Sequence, residues 1–76
     1  MIQIKKVTAL SNKEREILTL ISQGLTSREI AQKIFLSPYT INTHRRNILR
    51  KTGAKNILAV VALAIQHQTI ISEIAA

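Results

Sequence analysis

Three hydroxyl residues, Ser11, Thr26 and Ser37, stand where helices can start, and two glycines, Gly24 and Gly53, stand where helices can stop. Ser11-Asn12-Lys13-Glu14 and Thr26-Ser27-Arg28-Glu29 are capping boxes. In each, the hydroxyl accepts from the amide three residues on, and the glutamate there reaches back to the cap's own amide. Ser37-Pro38 is a hydroxyl cap followed by proline at the first helical position, where no amide donor is missed. A chain punctuated this way predicts short helices. Helix one runs to about Gln23, with Ile17, Leu18 and Ile21 on one stripe, and Gly24 ends it in a left-handed conformation. Helix two carries Ile30, Ala31 and Ile34 at helical spacing, Ala31 being small where another helix must come close, and Leu36 follows in the turn. Helix three places Ile41 and Ile48 a heptad apart, towards a core, and ends at Gly53. Asn56 caps helix four, whose Ile57–Ile65 run, ILAVVALAI, is apolar almost all the way round. A helix in a small domain needs only one apolar stripe. One face is therefore expected to pack on helices one and three, and the other to meet a partner. The alternative is that Thr69 to Ala76, with Ile70, Ile71 and Ile74, folds back over it. The expected fold class is all-α, four helices in one domain over residues 10–70, with Leu10 as the first core residue. Residues 1–9 read as a tail or the end of a linker, and 71–76 as a C-terminal tail.

The bulk composition narrows the chemistry. Seventy-six residues make one small domain, and 46% hydrophobic residues suffice for a marginal core. Phe35 and Tyr39 are the only aromatics, so that core is aliphatic. There is no cysteine, which excludes disulfides and thiolate-zinc staples. His44 and His67 are too few for a metal cage, and no cofactor is expected. His67, late in helix four, reads as an exposed cap on the last carbonyls. No stretch approaches the ~18 apolar residues of a membrane span. The opening MIQIKK lacks the apolar core of a signal peptide, so the cytoplasm is the default location. An enzyme would need a nucleophile with a base, a carboxylate pair, a metal or a glycine-rich phosphate loop. Glu14 and Glu16 point to different helix faces, and Gly24 and Gly53 are the only glycines. The chain does not read as an enzyme.

Charge distribution says more than the net +7. Between Glu29 and Glu73 no acid occurs, while Lys33, Arg45, Arg46, Arg50, Lys51 and Lys55 do. A one-signed segment of this kind points to a polyanion. Helix three departs from the other two caps in the same sense: its third residue is Thr40, not glutamate. At a helix start that faces phosphates, a carboxylate would repel the ligand and block the free amides. A cationic helix held at a fixed angle by a companion is a device for a DNA groove.

These residues resemble the LuxR/NarL-type helix-turn-helix domain, the family of the GerE protein and of many response-regulator output domains. The matching pattern is Leu10-Ser11, Glu14-Arg15-Glu16-Ile17-Leu18, Ile21, Gly24, Thr26, Glu29-Ile30-Ala31, Ile34, Leu36-Ser37, Thr40-Ile41, His44, Asn47-Ile48, Lys51 and Gly53. The resemblance covers residue 10 to about residue 70. It implies a transcription regulator that binds double-stranded DNA, with helix three as recognition helix. By resemblance, Asn42, Thr43 and Arg46 sit at positions that read base edges. Thr26, Ser27, Arg28, Tyr39, Thr40, His44, Arg50 and Lys51 sit at or near positions that hold the backbone. Arg45, about 100° round the helix from Arg46, joins the backbone candidates or lies over the surface. Helix four resembles a dimerisation helix, which nominates Ile57, Val60, Val61 and Ala64 for a homodimer contact. Thr52 stands where leucine is usual, which implies thinner packing there.

The chemistry of those side chains suits the role. Asn42 offers a paired donor and acceptor to adenine, Arg46 a fork to guanine O6 and N7, and the Thr43 methyl a partner for a thymine methyl. A good two-point contact discriminates by about 1–3 kcal/mol. Lys51→Ala is expected to weaken binding evenly, and Val61→Glu to reduce dimer formation while the fold survives. A sigma-factor promoter-binding region, acting with RNA polymerase, is the alternative DNA-binding module. A receiver or sensor domain upstream is a further expected partner. A membrane-active cationic peptide is disfavoured by three well-formed caps.

Overall fold

The structure is a computed structural model that describes residues 9–66. The readings of residues 1–8 and 67–76 as tails, of His67 as a cap, and of a C-terminal segment folding back lie outside the described residues. Four helices follow one another: α1 (Asn12–Ser22), α2 (Ser27–Lys33), α3 (Pro38–Thr52) and α4 (Ile57–Gln66). The all-α, four-helix architecture is the one expected, and none of these helices is long and apolar enough to cross a membrane.

Each helix starts on a side-chain cap. Ser11 Oγ accepts from the Glu14 amide at 3.1 Å, while the Ser11 amide donates to Glu14 Oε1 at 2.8 Å. Thr26 and Glu29 repeat the exchange at 3.2 and 2.9 Å. At α3, Ser37 Oγ accepts from the Thr40 amide at 3.1 Å, and the two hydroxyls lie 2.9 Å apart. Asn56 Oδ1 accepts from the Ala59 amide at 3.0 Å and so caps α4.

The ends of α1 and α2 are built alike from unlike residues. After α1, Gly24 takes φ 90° and the Leu25 amide donates back to Leu20 O. After α2, Phe35 takes φ 60° and the Leu36 amide donates back to Ala31 O. This left-handed turn lets the chain reverse while satisfying a terminal carbonyl. A residue with a Cβ pays about 1–2 kcal/mol to hold it. Nothing in the sequence around Phe35 announces it, because glycine or asparagine is the usual occupant. Its ring is 92% exposed, while Leu36 tucks against the core.

The core has two lobes, and α1 and α3 supply both. Leu10, Leu18, Ile48, Val60, Val61 and Ala64 form one. Ile17, Leu20, Ile30, Ala31 and Ile41 form the other. The heptad spacing of Ile41 and Ile48 thus places one side chain against α2 and the other against α4. Thr52, expected to thin the packing, is fully buried in the last turn of α3. Its hydroxyl donates to Ile48 O at 2.8 Å and accepts from the Ala54 amide at 3.3 Å. The polar atom is satisfied, so the site closes the α3–α4 turn where a leucine would only fill volume.

Helix α4 requires a correction. Val60 and Ala64 have no exposed surface and Val61 only 8%; all three belong to the domain's own core, and Ile57 packs half-buried against it. These are the residues nominated for the contact between copies. They face inward because only that arc of α4 meets Leu18 and Ile48. The apolar arc left outside carries Leu58, 70% exposed, and Ala62, with Ile65 half-buried.

Candidate nucleic-acid interface

Helix α3 packs against all three other helices through its Ile41–Ile48 side, and among the described residues none covers the opposite side. Tyr39, Asn42, Arg45, Arg46 and Leu49 line one open depression there. Their spacing of three, four and seven residues is that of a single helix face. Arg45, placed by sequence a third of a turn away from Arg46, shares this depression with it. Arg50 continues the exposed side one turn on. Thr43 is tied down: its hydroxyl donates to Tyr39 O at 3.0 Å and accepts from Arg46 Nη2 at 3.4 Å. The methyl group is what remains for an outside contact.

Helix α2 braces this face from its first turn. Ser27 Oγ donates to Asn42 Oδ1 at 2.8 Å, across fifteen positions of sequence. Arg28 and Thr26 are exposed beside it. The Thr26 hydroxyl accepts from the Glu29 amide. Glu29 is held below the ordinary carboxylate range by the Thr26 amide and hydroxyl. Its charge therefore stays within the cap. Thr40 and His44 are half-buried on α3. His44 Nδ1 is enclosed without a hydrogen-bond partner among the described residues.

Lys51 is not free, as its nomination as a backbone contact assumed. Its Nζ donates to Glu14 Oε1 at 2.8 Å, and the Glu14 side chain is 4% exposed. The same carboxylate oxygen accepts from the Ser11 amide. One glutamate thus joins the cap of α1 to the last turn of α3, a pairing across thirty-seven positions that sequence spacing does not reveal. Burial pushes the Glu14 carboxyl up, but the Lys51 ammonium and the Ser11 amide outweigh it and hold it below 4.5. A depressed carboxylate stabilises the fold above its unfolded pKa, and that contribution is lost as pH falls through the folded value. The melting temperature is therefore expected to drop as pH is lowered below about 4.5, and Glu14→Gln should flatten that drop. Melts followed by helical circular dichroism from pH 3 to 7 check this; identical profiles for both proteins would refute the linkage.

Among the described residues, Glu14 and Glu16 are the acids in ion pairs, with Lys51 and Lys13. Among the described residues, Arg28, Arg45, Arg46 and Arg50 have no carboxylate partner. The arrangement is a rigid helix with a cationic, hydrogen-bonding outer face.

Comparison with known proteins agrees with this geometry. The sequence profile of the bacterial regulatory proteins of the luxR family matches residues 8–64. The Fimbriae Z protein of Escherichia coli K12 is 39% identical over 64 residues, covering 84% of this chain and 30% of that protein. The virulence factors putative positive transcription regulator BvgA of Bordetella pertussis is 34% identical over 58 residues, 76% of this chain and 28% of its own length. The crystal structure of the response regulator ChrA, of a heme-sensing two-component system, superposes with a TM-score of 0.74 at 42% identity, covering 82% of this chain and 31% of that one. The chain thus spans less than a third of the length of these relatives.

Proposed function

Because this chain belongs to the luxR family of bacterial regulatory proteins, whose members are DNA-binding transcription regulators and not enzymes, we propose that α3 lies in the major groove of double-stranded DNA and reads its sequence there. The observation that carries this reading is the outer face of α3: Asn42, Arg45 and Arg46 open into one depression, and no carboxylate stands among them. Asn42, Arg46 and the Thr43 methyl contact base edges, with Arg46 forking onto guanine O6 and N7. Thr26, Arg28, Tyr39, Thr40, His44, Arg45 and Arg50 hold the sugar-phosphate backbone, whereas Ser27 and Lys51 are engaged by Asn42 and Glu14. The domain acts in the cytoplasm, under a receiver or sensor domain, and contacts RNA polymerase at the promoter. Its similarity to a response regulator supports the upstream receiver domain.

Selection of bound sequences from a random duplex pool tests the reading. A motif is expected, with Arg46→Ala relaxing preference at one position per half-site. A pool that stays random, or an Arg46 variant that weakens all sequences alike, would contradict it. A sigma-type module is set apart by the same experiment, since it would need RNA polymerase to bind.

Two copies bind half-sites through the outer stripe of α4, formed by Leu58, Ala62 and Ile65. A 70% exposed leucine in an apolar stripe supports this. Leu58→Glu should leave the melting temperature within a few degrees and abolish cooperative binding to a two-half-site duplex. Unchanged cooperativity in gel-shift titrations would move the contact elsewhere.

A further inference from the structure

Arg45, Arg46 and Arg50 stand on the outer side of α3, and one of them is held. Among the described residues, Arg46 Nη2 donates to Thr43 Oγ1 at 3.4 Å, whereas Arg45 and Arg50 meet neither a side-chain acceptor nor a carboxylate. Chemistry fixes the sense of this contact at both ends. A guanidinium has only donors, and a backbone carbonyl oxygen only accepts. The Thr43 hydroxyl therefore gives its one proton to Tyr39 O, 3.0 Å away, and accepts from Arg46. Donation to the carbonyl four residues back also selects one of the two χ1 wells open to a helical threonine. With χ1 set, the acceptor that Arg46 meets keeps one direction. Residues three apart are neighbours on a helix surface, and helical side chains lean towards the N-terminus. The Arg46 head is thus drawn over the turn that carries Thr43, in the N-terminal half of the helix. That is the half a recognition helix brings to base edges. One of the five guanidinium N–H groups is spent on Thr43, and the other four suffice for a two-point contact to guanine.

We propose that the Thr43 hydroxyl is a positioning group for base recognition: it pre-sets the Arg46 guanidinium, and so governs how strongly α3 prefers guanine at the Arg46 position. This deepens the reading of α3 as a major-groove helix and rests on it. An arginine side chain gives up much rotamer freedom when its head is fixed. A phosphate offers oxygens in several directions, so a loosely held head can still find one. Guanine O6 and N7 accept in one plane and at one spacing. Holding the head beforehand lowers the ordering cost of that contact, and the gain falls on the base that takes both bonds. The Thr43 methyl is a different group, whose partner is a thymine methyl. Substitution separates the two roles: valine keeps the methyl and loses the hydroxyl, and serine does the reverse.

The test compares the wild type, Thr43→Val, Thr43→Ala, Thr43→Ser, Arg46→Ala and the Thr43→Val/Arg46→Ala double variant by selection from a random duplex pool. Thermal melts establish that each is folded. The Arg46 position is the one whose preference Arg46→Ala erases, and the wild type is expected to take guanine there. Thr43→Val and Thr43→Ala should each lose about two- to fivefold of that preference, the worth of one ordinary hydrogen bond. Thr43→Ser should keep it, and the double variant should match Arg46→Ala at that position. A guanine preference left intact in both Thr43→Val and Thr43→Ala overturns the proposal. So does a Thr43→Ser variant that loses as much as they do, or a weakening that falls on every sequence alike. A further loss at that position in the double variant shows Thr43 acting without Arg46, and overturns it too. An Arg46→Ala variant that erases no preference, or a wild type that selects no motif, instead removes the base reading itself, and the role of Thr43 with it.

Discussion

Val61→Glu is expected to unfold this domain, not to separate two folded copies. Val61 is 8% exposed and packs with Leu18, Ile48 and Val60 between α1, α3 and α4. A glutamate there gives up the valine's buried contacts and drives a carboxylate into an apolar lobe with no cation to meet it. The two losses together amount to about 3–5 kcal/mol. A domain of this size has only about 4–11 kcal/mol in total. Helical circular dichroism at 25 °C and a thermal melt provide the measurement. A cooperative transition within a few degrees of wild type would show that α4 is not docked as described. The contrast with Leu58→Glu is informative, because the two positions lie three residues apart on one helix. One faces Ile48 and the other faces water, so the same charge is expected to be ruinous in the first place and harmless to folding in the second.

Affinity for duplex DNA is expected to fall steeply with salt, by roughly 40- to 150-fold per copy between 50 and 200 mM. The estimate follows from three or four phosphate neutralisations by Arg28, Arg45, Arg50 and, in part, Arg46, each releasing a counterion and adding about 0.9 to the slope. Lys51 is left out of that number. Its ammonium already neutralises Glu14 at 2.8 Å, so moving it to a phosphate would leave a buried carboxylate unpaired. Lys51→Ala should therefore lower the melting temperature more clearly than it lowers the salt slope. This reverses the even weakening of binding that sequence alone suggested for it. Fluorescence-anisotropy titrations across a salt series check both statements. A slope below about one per copy would contradict the backbone contacts, and a Lys51→Ala slope reduced by a full unit with unchanged stability would restore Lys51 to them.

What the chain reveals when read alone is what short-range rules govern. Caps at Ser11, Thr26, Ser37 and Asn56 act over three residues, and stripes such as Ile41 and Ile48 repeat over a few turns. For these, four helices and a carboxylate-free outer face on α3 were legible before any packing was known. The group proposed to read bases, Asn42, Thr43 and Arg46, was legible in the same way only as neighbours on one helix. Three features were not. Helix α4 is apolar around most of its circumference, so periodicity could not choose which arc turns inward. Contact with Leu18 and Ile48 chose Val60, Val61 and Ala64. Phe35 holds a left-handed turn without a residue that advertises one, because the reversal is imposed by the packing of Leu36 beneath it. The pairs Glu14–Lys51 and Ser27–Asn42 join different helices, thirty-seven and fifteen residues apart. Local chemistry thus determined where helices begin, where they end and what each face carries. Only the docking of one helix on another decided which charges are paired and which side chains meet across helices, since those depend on distances through space that no spacing along the chain encodes.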